Sequence, residues 1–271
     1  MYESYWNLSE KPFQYRMPIA LCYPVKSQQA ALLRLHYCIE NDAGCALLLG
    51  ESGLGKTTLL RMLEGSHMNL RPFVHLAFPG MDPVEQLRMI ARQLSESDTE
   101  PVSSFDGLLL SIYTALQRHT TDSDRHPVIC FDDAQLLTPR VMTDVVLPLL
   151  NLRDFDERLD FTIVLAGQPI LASHLTRQPQ LRERTAVTAK LAGMTGSETC
   201  DYVRARLAAC GADTDVFSDA ALTRLQEISH GNPRRINRLG DMALLVGCAD
   251  DLECITAREI DSVGTELLTA A

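Results

Sequence analysis

No apolar stretch in these 271 residues approaches the roughly 20 residues that a membrane span needs. The opening segment, MYESYWNLSEKPF, is too polar and acidic for a signal peptide, so neither insertion nor export is expected. Basic charge is also short. Lys and Arg number 25 against 35 Asp and Glu, a formal net charge of −10. That balance argues against holding nucleic acid by bulk electrostatics, although basic strips gathered in an oligomer leave DNA open as a partner. The eight cysteines (Cys22, Cys38, Cys45, Cys130, Cys200, Cys210, Cys248, Cys254) include no C-x-x-C pair, and no His/Cys cluster has zinc-ligand spacing. Several sit inside apolar runs such as Val128–Phe131, as small buried hydrophobes do in a reducing, cytoplasmic compartment. Internal repeats and low-complexity segments are missing too.

What is present is ordinary globular chemistry: 46% hydrophobic and 22% charged residues. Short apolar runs at 45–49, 73–78, 128–131, 161–166 and 187–191 read as strands. Helical periodicity lies between them, at 57–64, 83–95, 105–120 and 139–152. An earlier helix carries Ala31, Leu32, Leu35 and Ile39 on one face. Strands without internal alternation fit a parallel sheet covered on both faces, and strand–helix alternation specifies α/β. After about Gly193 only helical patterns remain. Ser197 and Ser218 stand as N-caps, Asn232-Pro233 as cap and N1 proline, and Thr256 with Glu259 as a capping box. The expected fold is a P-loop NTPase αβα sandwich with a parallel sheet over 1–192, residues 1–40 leading into it. A small all-helical lid over 193–271 follows.

The strongest motif is Gly50-Glu51-Ser52-Gly53-Leu54-Gly55-Lys56-Thr57, followed by Thr58 at the start of a helical run. It obeys G-x-x-x-x-G-K-[ST] and follows an apolar strand, the context that makes the pattern a phosphate-binding loop. Glycines let successive N–H groups point inward around phosphates, and the helix N-terminus adds its dipole. Lys56 is expected to reach the β- and γ-phosphates and the Thr57 hydroxyl to ligate Mg²⁺. Asp132 and Asp133 end the apolar strand Val128–Phe131, which is expected to lie beside the P-loop strand. Two such acids could be no more than an N-cap and its neighbour. Paired with the P-loop they fit a Walker B element, Asp132 holding the metal and Asp133 acting as base toward water.

Further segments fall in a familiar order. They are Tyr2…Leu8…Pro12-Phe13, the P-loop, Asp132-Asp133-Ala134-Gln135, Leu165-Ala166-Gly167-Gln168-Pro169 and Gly231-Asn232-Pro233-Arg234-Arg235-Ile236-Asn237-Arg238-Leu239. In this order the whole chain resembles the ExeA family, AAA+ ATPases of the general secretion protein A type, with transposition regulators of the MuB and TniB type as relatives. The resemblance implies ATP as nucleotide, assembly into rings or filaments, and a protein partner in secretion or envelope assembly. ATP-dependent binding of duplex DNA is the alternative. It also implies roles for single residues. Gln168 matches sensor 1, the alternative being a polar residue that starts the next helix. Arg184 matches an arginine finger, with Arg182 as rival and a surface ion pair as the plainer reading. Arg234 matches sensor 2, while Arg235 and Arg238 face solvent or DNA. Pro12 and Phe13 line the adenine or pack in a core.

Two departures limit the transfer. Most members of the family have Asp-Glu where Asp132-Asp133 stands, so the base is one methylene shorter. Other AAA+ branches resemble active enzymes with Asp-Asp, and slow turnover rather than inactivity is expected. The longer secretion proteins continue past the lid into a membrane helix and a peptidoglycan-binding domain, and neither follows here before Ala271. Action on the cell wall is therefore not carried over. No LSGGQ-like signature separates the P-loop from Asp132, which argues against a transporter ATPase, and the sensor and lid arginines argue against a small-molecule kinase.

Overall fold

The computed structural model describes residues 2–14, 25–66, 70–95, 104–121, 125–212 and 216–269, with Cys22 outside them. Contacts divide the chain into two units. One comprises residues 28–52 and 56–191, the other residues 1–27, 53–55 and 192–271.

The larger unit is built on five parallel strands: β1 (Cys45–Leu49), β2 (Phe73–Leu76), β3 (Val128–Phe131), β4 (Thr162–Gly167) and β5 (Thr185–Lys190). Their order is β2-β3-β4-β1-β5. Helices intervene as the periodicity requires: α1 (Lys26–Glu40, from the unit boundary), α2 (Lys56–Ser66), α3 (Pro83–Leu94) and α4 (Phe105–Thr121). Strand β1 shows why its sequence does not alternate. Cys45, Leu47 and Leu49 enter the main core cluster, while Ala46 and Leu48, pointing the other way, are equally buried.

Two expectations need correction here. The strand bearing Asp132 does not lie beside the P-loop strand: β4 is inserted between β3 and β1. Both neighbours of β4 are parallel to it, so its C-terminal end, with Gln168, stands between the P-loop and the two acids. Residues 139–152 are also not one regular helix. A turn α5 (Pro139–Val141) leads through a π segment, Met142–Val146, into α6 (Leu147–Phe155). Pro148 accounts for the widening, since it has no N–H to give the Asp144 carbonyl and its ring crowds that turn. Two short helices, α7 (Ile170–Thr176) and α8 (Pro179–Glu183), complete the unit.

The second unit contains α9 (Gly196–Ala209), α10 (Asp219–Ser229), α11 (Pro233–Ala249) and α12 (Ala257–Thr269). Ser218 and Asn232 cap as expected, and Glu259 accepts the Thr256 N–H at 2.8 Å. For α9, however, the cap is Thr195 rather than Ser197. Thr195 and Glu198 satisfy each other's backbone N–H groups in a full capping box, which places the helix start two residues earlier.

The N-terminal segment joins this helical unit rather than leading into the sheet. Tyr2, Trp6, Leu8 and Phe13 share a buried cluster with Leu222, Leu239 and Leu244. The Trp6 indole N–H donates to the Leu244 carbonyl at 2.9 Å, and the Tyr2 hydroxyl donates to Asp241. Gly240 and Gly247 make room on α11: an added Cβ would lie 2.6 Å from the Phe13 ring at Gly240 and 2.8 Å from the Trp6 ring at Gly247. Phe13 also meets Phe217 edge-on at 6.1 Å, so its ring belongs to this core. Among the described residues, no helix is long and apolar enough to cross a membrane.

Candidate active site

The loop between β1 and α2 carries the P-loop residues. Gly53 and Gly55 have φ of +85° and +90°, the left-handed region that costs an L side chain strain. At Gly53 space is lacking too. A Cβ would lie 2.6 Å from Asn232 Oδ1 and 2.9 Å from Arg234 Cβ, residues of its own unit. Helix α2 begins at Lys56, so its first N–H groups open toward the loop. The Lys56 side chain is only 6% exposed, and its Nζ donates to the carbonyls of Gly50 at 2.8 Å and Glu51 at 3.2 Å. The ammonium is thereby folded back inside the loop. Glu51, Ser52 and Thr57 are exposed, and Thr58 is half-buried.

Asp132 follows β3 and is buried, with only 5% exposure. Its Oδ2 accepts the Thr57 hydroxyl at 2.6 Å, and its Oδ1 accepts the Asp133 N–H at 2.9 Å. Burial pushes its carboxyl up, but hydrogen bonds from His75, Thr57 and the Asp133 amide outweigh that and hold it below the usual range. The result is an ionised oxygen facing a hydroxyl oxygen, a hard donor set that suits a magnesium ion. These residues therefore fit the implied metal.

Asp133 is exposed and sits at φ 49°, ψ 38°, with its carboxylate accepting from Gln135 Nε2 at 3.2 Å. Gln168 is half-buried just past β4, and its backbone N–H donates to Gln135 Oε1 at 2.9 Å. The structure thus gathers Thr57, Asp132, Asp133 and the start of Gln168 through direct or one-residue links. Arg184 stands elsewhere in the same unit, beyond α8, where its Nε and Nη2 donate to Asp154 Oδ2 at 3.1 and 2.5 Å. Arg182 is exposed. Arg234, Arg235 and Arg238 are exposed on α11, whose cap is Asn232.

Two residues escaped the sequence reading. His75, on β2, places Nε2 3.4 Å from Asp132 Oδ2. The available signal was an imidazole inside the otherwise apolar strand Phe73–Leu76. Gln135 stood in a quoted motif without a role, because only the strand order shows that it faces β4.

Comparisons with known proteins bear on the family and the fold. Residues 39–175 match the AAA domain family. General secretion pathway protein A of Aeromonas hydrophila is 31% identical over 255 residues, covering 92% of this chain. The chain spans 45% of that relative's length. Among solved structures, Cdc6p from Pyrobaculum aerophilum superposes with a TM-score of 0.74 at 17% identity, over 94% of this chain and 70% of that one. The ORC2 protein of Aeropyrum pernix, solved with ADPNP and ADP, gives 0.70 at 16% identity, over 95% and 71%. At such identities these structures speak for the fold alone. With a family match over half its length on a parallel sheet that presents a P-loop, the chain belongs to the AAA+ family of P-loop ATPases, in the group that resembles general secretion pathway protein A.

Proposed function

We propose that this chain hydrolyses Mg-ATP between neighbouring copies of itself and acts as an assembly switch on a protein partner of the secretion or envelope-assembly kind. The observation that carries the reading is the 2.6 Å contact of Thr57 with Asp132, beside the backbone-held Lys56. Thr57 and Asp132 would hold magnesium, which when bound offsets negative charge on the terminal phosphates. Lys56 exchanges the Gly50 and Glu51 carbonyls for phosphate oxygens, a stronger, charge-assisted bond. Asp133 accepts the proton of the attacking water, and its short side chain makes that step slow. Gln168 and Arg234 are the sensor residues of the reading. Arg184 is the finger offered to a neighbour. Its pairing with Asp154 is solvent-exposed and worth about 0.2–1 kcal/mol, so it yields readily to a phosphate.

The partner class follows the printed name of the secretion relative. A DNA-dependent form of the same switch is supported by Arg235 and Arg238, exposed on α11, and by the ORC1 protein of Aeropyrum pernix, solved in complex with DNA. The net charge of −10 counts against it.

The test is Mg-ATP hydrolysis per subunit across a wide range of protein concentration, with Lys56→Ala as the blank. A specific rate that rises with concentration and collapses in Arg184→Ala supports a site completed by a neighbour. A flat rate equal to the blank sinks the reading. Duplex-DNA filter binding with and without ATP decides the DNA-dependent form, which fails if ATP adds nothing at low salt.

A further inference from the structure

We propose that Gln135 is a positioning residue, which fastens the Asp133 carboxylate to the end of β4 and so sets where the base points. The proposal rests on the hydrolytic reading above.

A glutamine amide has one acceptor oxygen and one donor nitrogen group, and here both are used. The Gln168 backbone N–H can only donate, and it lies 2.9 Å from Oε1. That fixes the orientation of the amide, so Nε2 must be the atom 3.2 Å from Asp133 Oδ1. The bridge therefore runs from the base of β3's end to the first residue beyond β4, across two strands paired in parallel.

Space for the bridge comes from Gly167. A Cβ there would stand 2.8 Å from Gln135 Oε1, 2.8 Å from Leu171 Cδ2 and 3.1 Å from the Gln135 backbone nitrogen, so an added side chain crowds the Gln135 amide oxygen. Without Gln135, the Asp133 carboxylate has no other side-chain anchor among the described residues. Asp133 is solvent-exposed, and its backbone N–H is engaged with Asp132. Its rotamers would then be free to spread. A general base must lie within hydrogen-bond reach of its proton, and displacements near 1 Å cost about a hundredfold in rate.

The bridge has a second consequence. The Gln168 amide is the β4 end of the same link, so a shift of that end moves Gln135 and with it Asp133.

The test compares Gln135→Ala, Gln135→Glu and Gly167→Ala in the full chain. Readouts are kcat and KM for ATP, binding of a fluorescent ATP analogue, and amide hydrogen exchange at Gln168 without nucleotide. Gln135→Ala should lower kcat about ten- to hundredfold, with KM and analogue binding within about twofold, and should expose the Gln168 amide to exchange. Gln135→Glu keeps an acceptor for that amide, so its protection persists, yet kcat falls because two carboxylates now repel. Gly167→Ala should reproduce the alanine phenotype and add little to it in the double variant. Undiminished kcat in Gln135→Ala, or wild-type kcat in Gln135→Glu, overturns the proposal while leaving hydrolysis intact. A wild type no faster than Lys56→Ala overturns the hydrolytic reading, and this inference falls with it.

Discussion

The hydroxyl of Thr57 donates to the carboxylate of Asp132 at 2.6 Å, joining the start of α2 to the end of β3 across the inserted strand β4. In the proposed hydrolytic reading, these two groups would hold a shared magnesium ion. Asp132→Asn keeps the shape and removes the charge. It should leave metal-free nucleotide binding within about twofold and abolish most of the gain that magnesium adds. Thr57→Ala should do the same more weakly. Titrating a fluorescent ATP analogue with and without magnesium measures both, and an unchanged magnesium increment in Asp132→Asn would remove the metal assignment.

Much of this site was readable before the fold. The P-loop spacing places Lys56 and Thr57 at a helix start whatever surrounds them, and the run Val128–Phe131 announces a strand with acids at its end. Strand order was not readable, because parallel pairing leaves no local mark: β1 would carry the same apolar residues beside β3 as beside β4. The roles of His75 and Gln135 depend on that order and were missed with it. The N-terminal segment failed for another reason. Trp6 and Phe13 show no period, and they are buried against Gly240 and Gly247, positions whose meaning lies in the missing side chains.

That packing is open to test. Trp6 fills space against Gly247 and donates to the Leu244 carbonyl, so Trp6→Ala loses both the buried ring and the bond. The cost should be about 3–5 kcal/mol. Chemical denaturation followed by circular dichroism should show a lower midpoint for the variant. An unchanged midpoint would mean that the segment is not part of the helical unit's core.

A second stability element lies in the larger unit. Asp156 is buried and accepts from Arg158 at 2.8 and 3.0 Å, from Gln117 at 3.1 Å and from Tyr113 at 3.0 Å. These bonds, led by Arg158, hold its carboxyl well below the usual carboxylate range. A depressed folded-state pKa stabilises at pH above the unfolded value of about 3.9, and that contribution is lost as pH falls toward the folded value. Asp156→Asn should therefore melt below wild type at pH 7, with the gap closing from about pH 4 downward. Melting curves between pH 7 and 2 check this, and a gap that stays constant with pH would show that the charge of Asp156 is immaterial.

Variants of Asp133, the base of the proposed reading, allow stability and rate to be tested separately. Asp133 holds φ 49°, a left-handed conformation that aspartate and asparagine tolerate better than glutamate. Asp133→Asn should keep the melting temperature and lower kcat by about 10²–10⁴, since the amide cannot take a proton. Asp133→Glu should bring the carboxylate nearer the water and raise kcat about tenfold, while backbone strain of about 1 kcal/mol lowers the melting temperature by a few degrees. Single-turnover hydrolysis and calorimetry on the same samples give both numbers. A faster, less stable Asp133→Glu would mean that this chain exchanges turnover for a comfortable backbone. A variant neither faster nor less stable would place the limit on hydrolysis outside the length of the base.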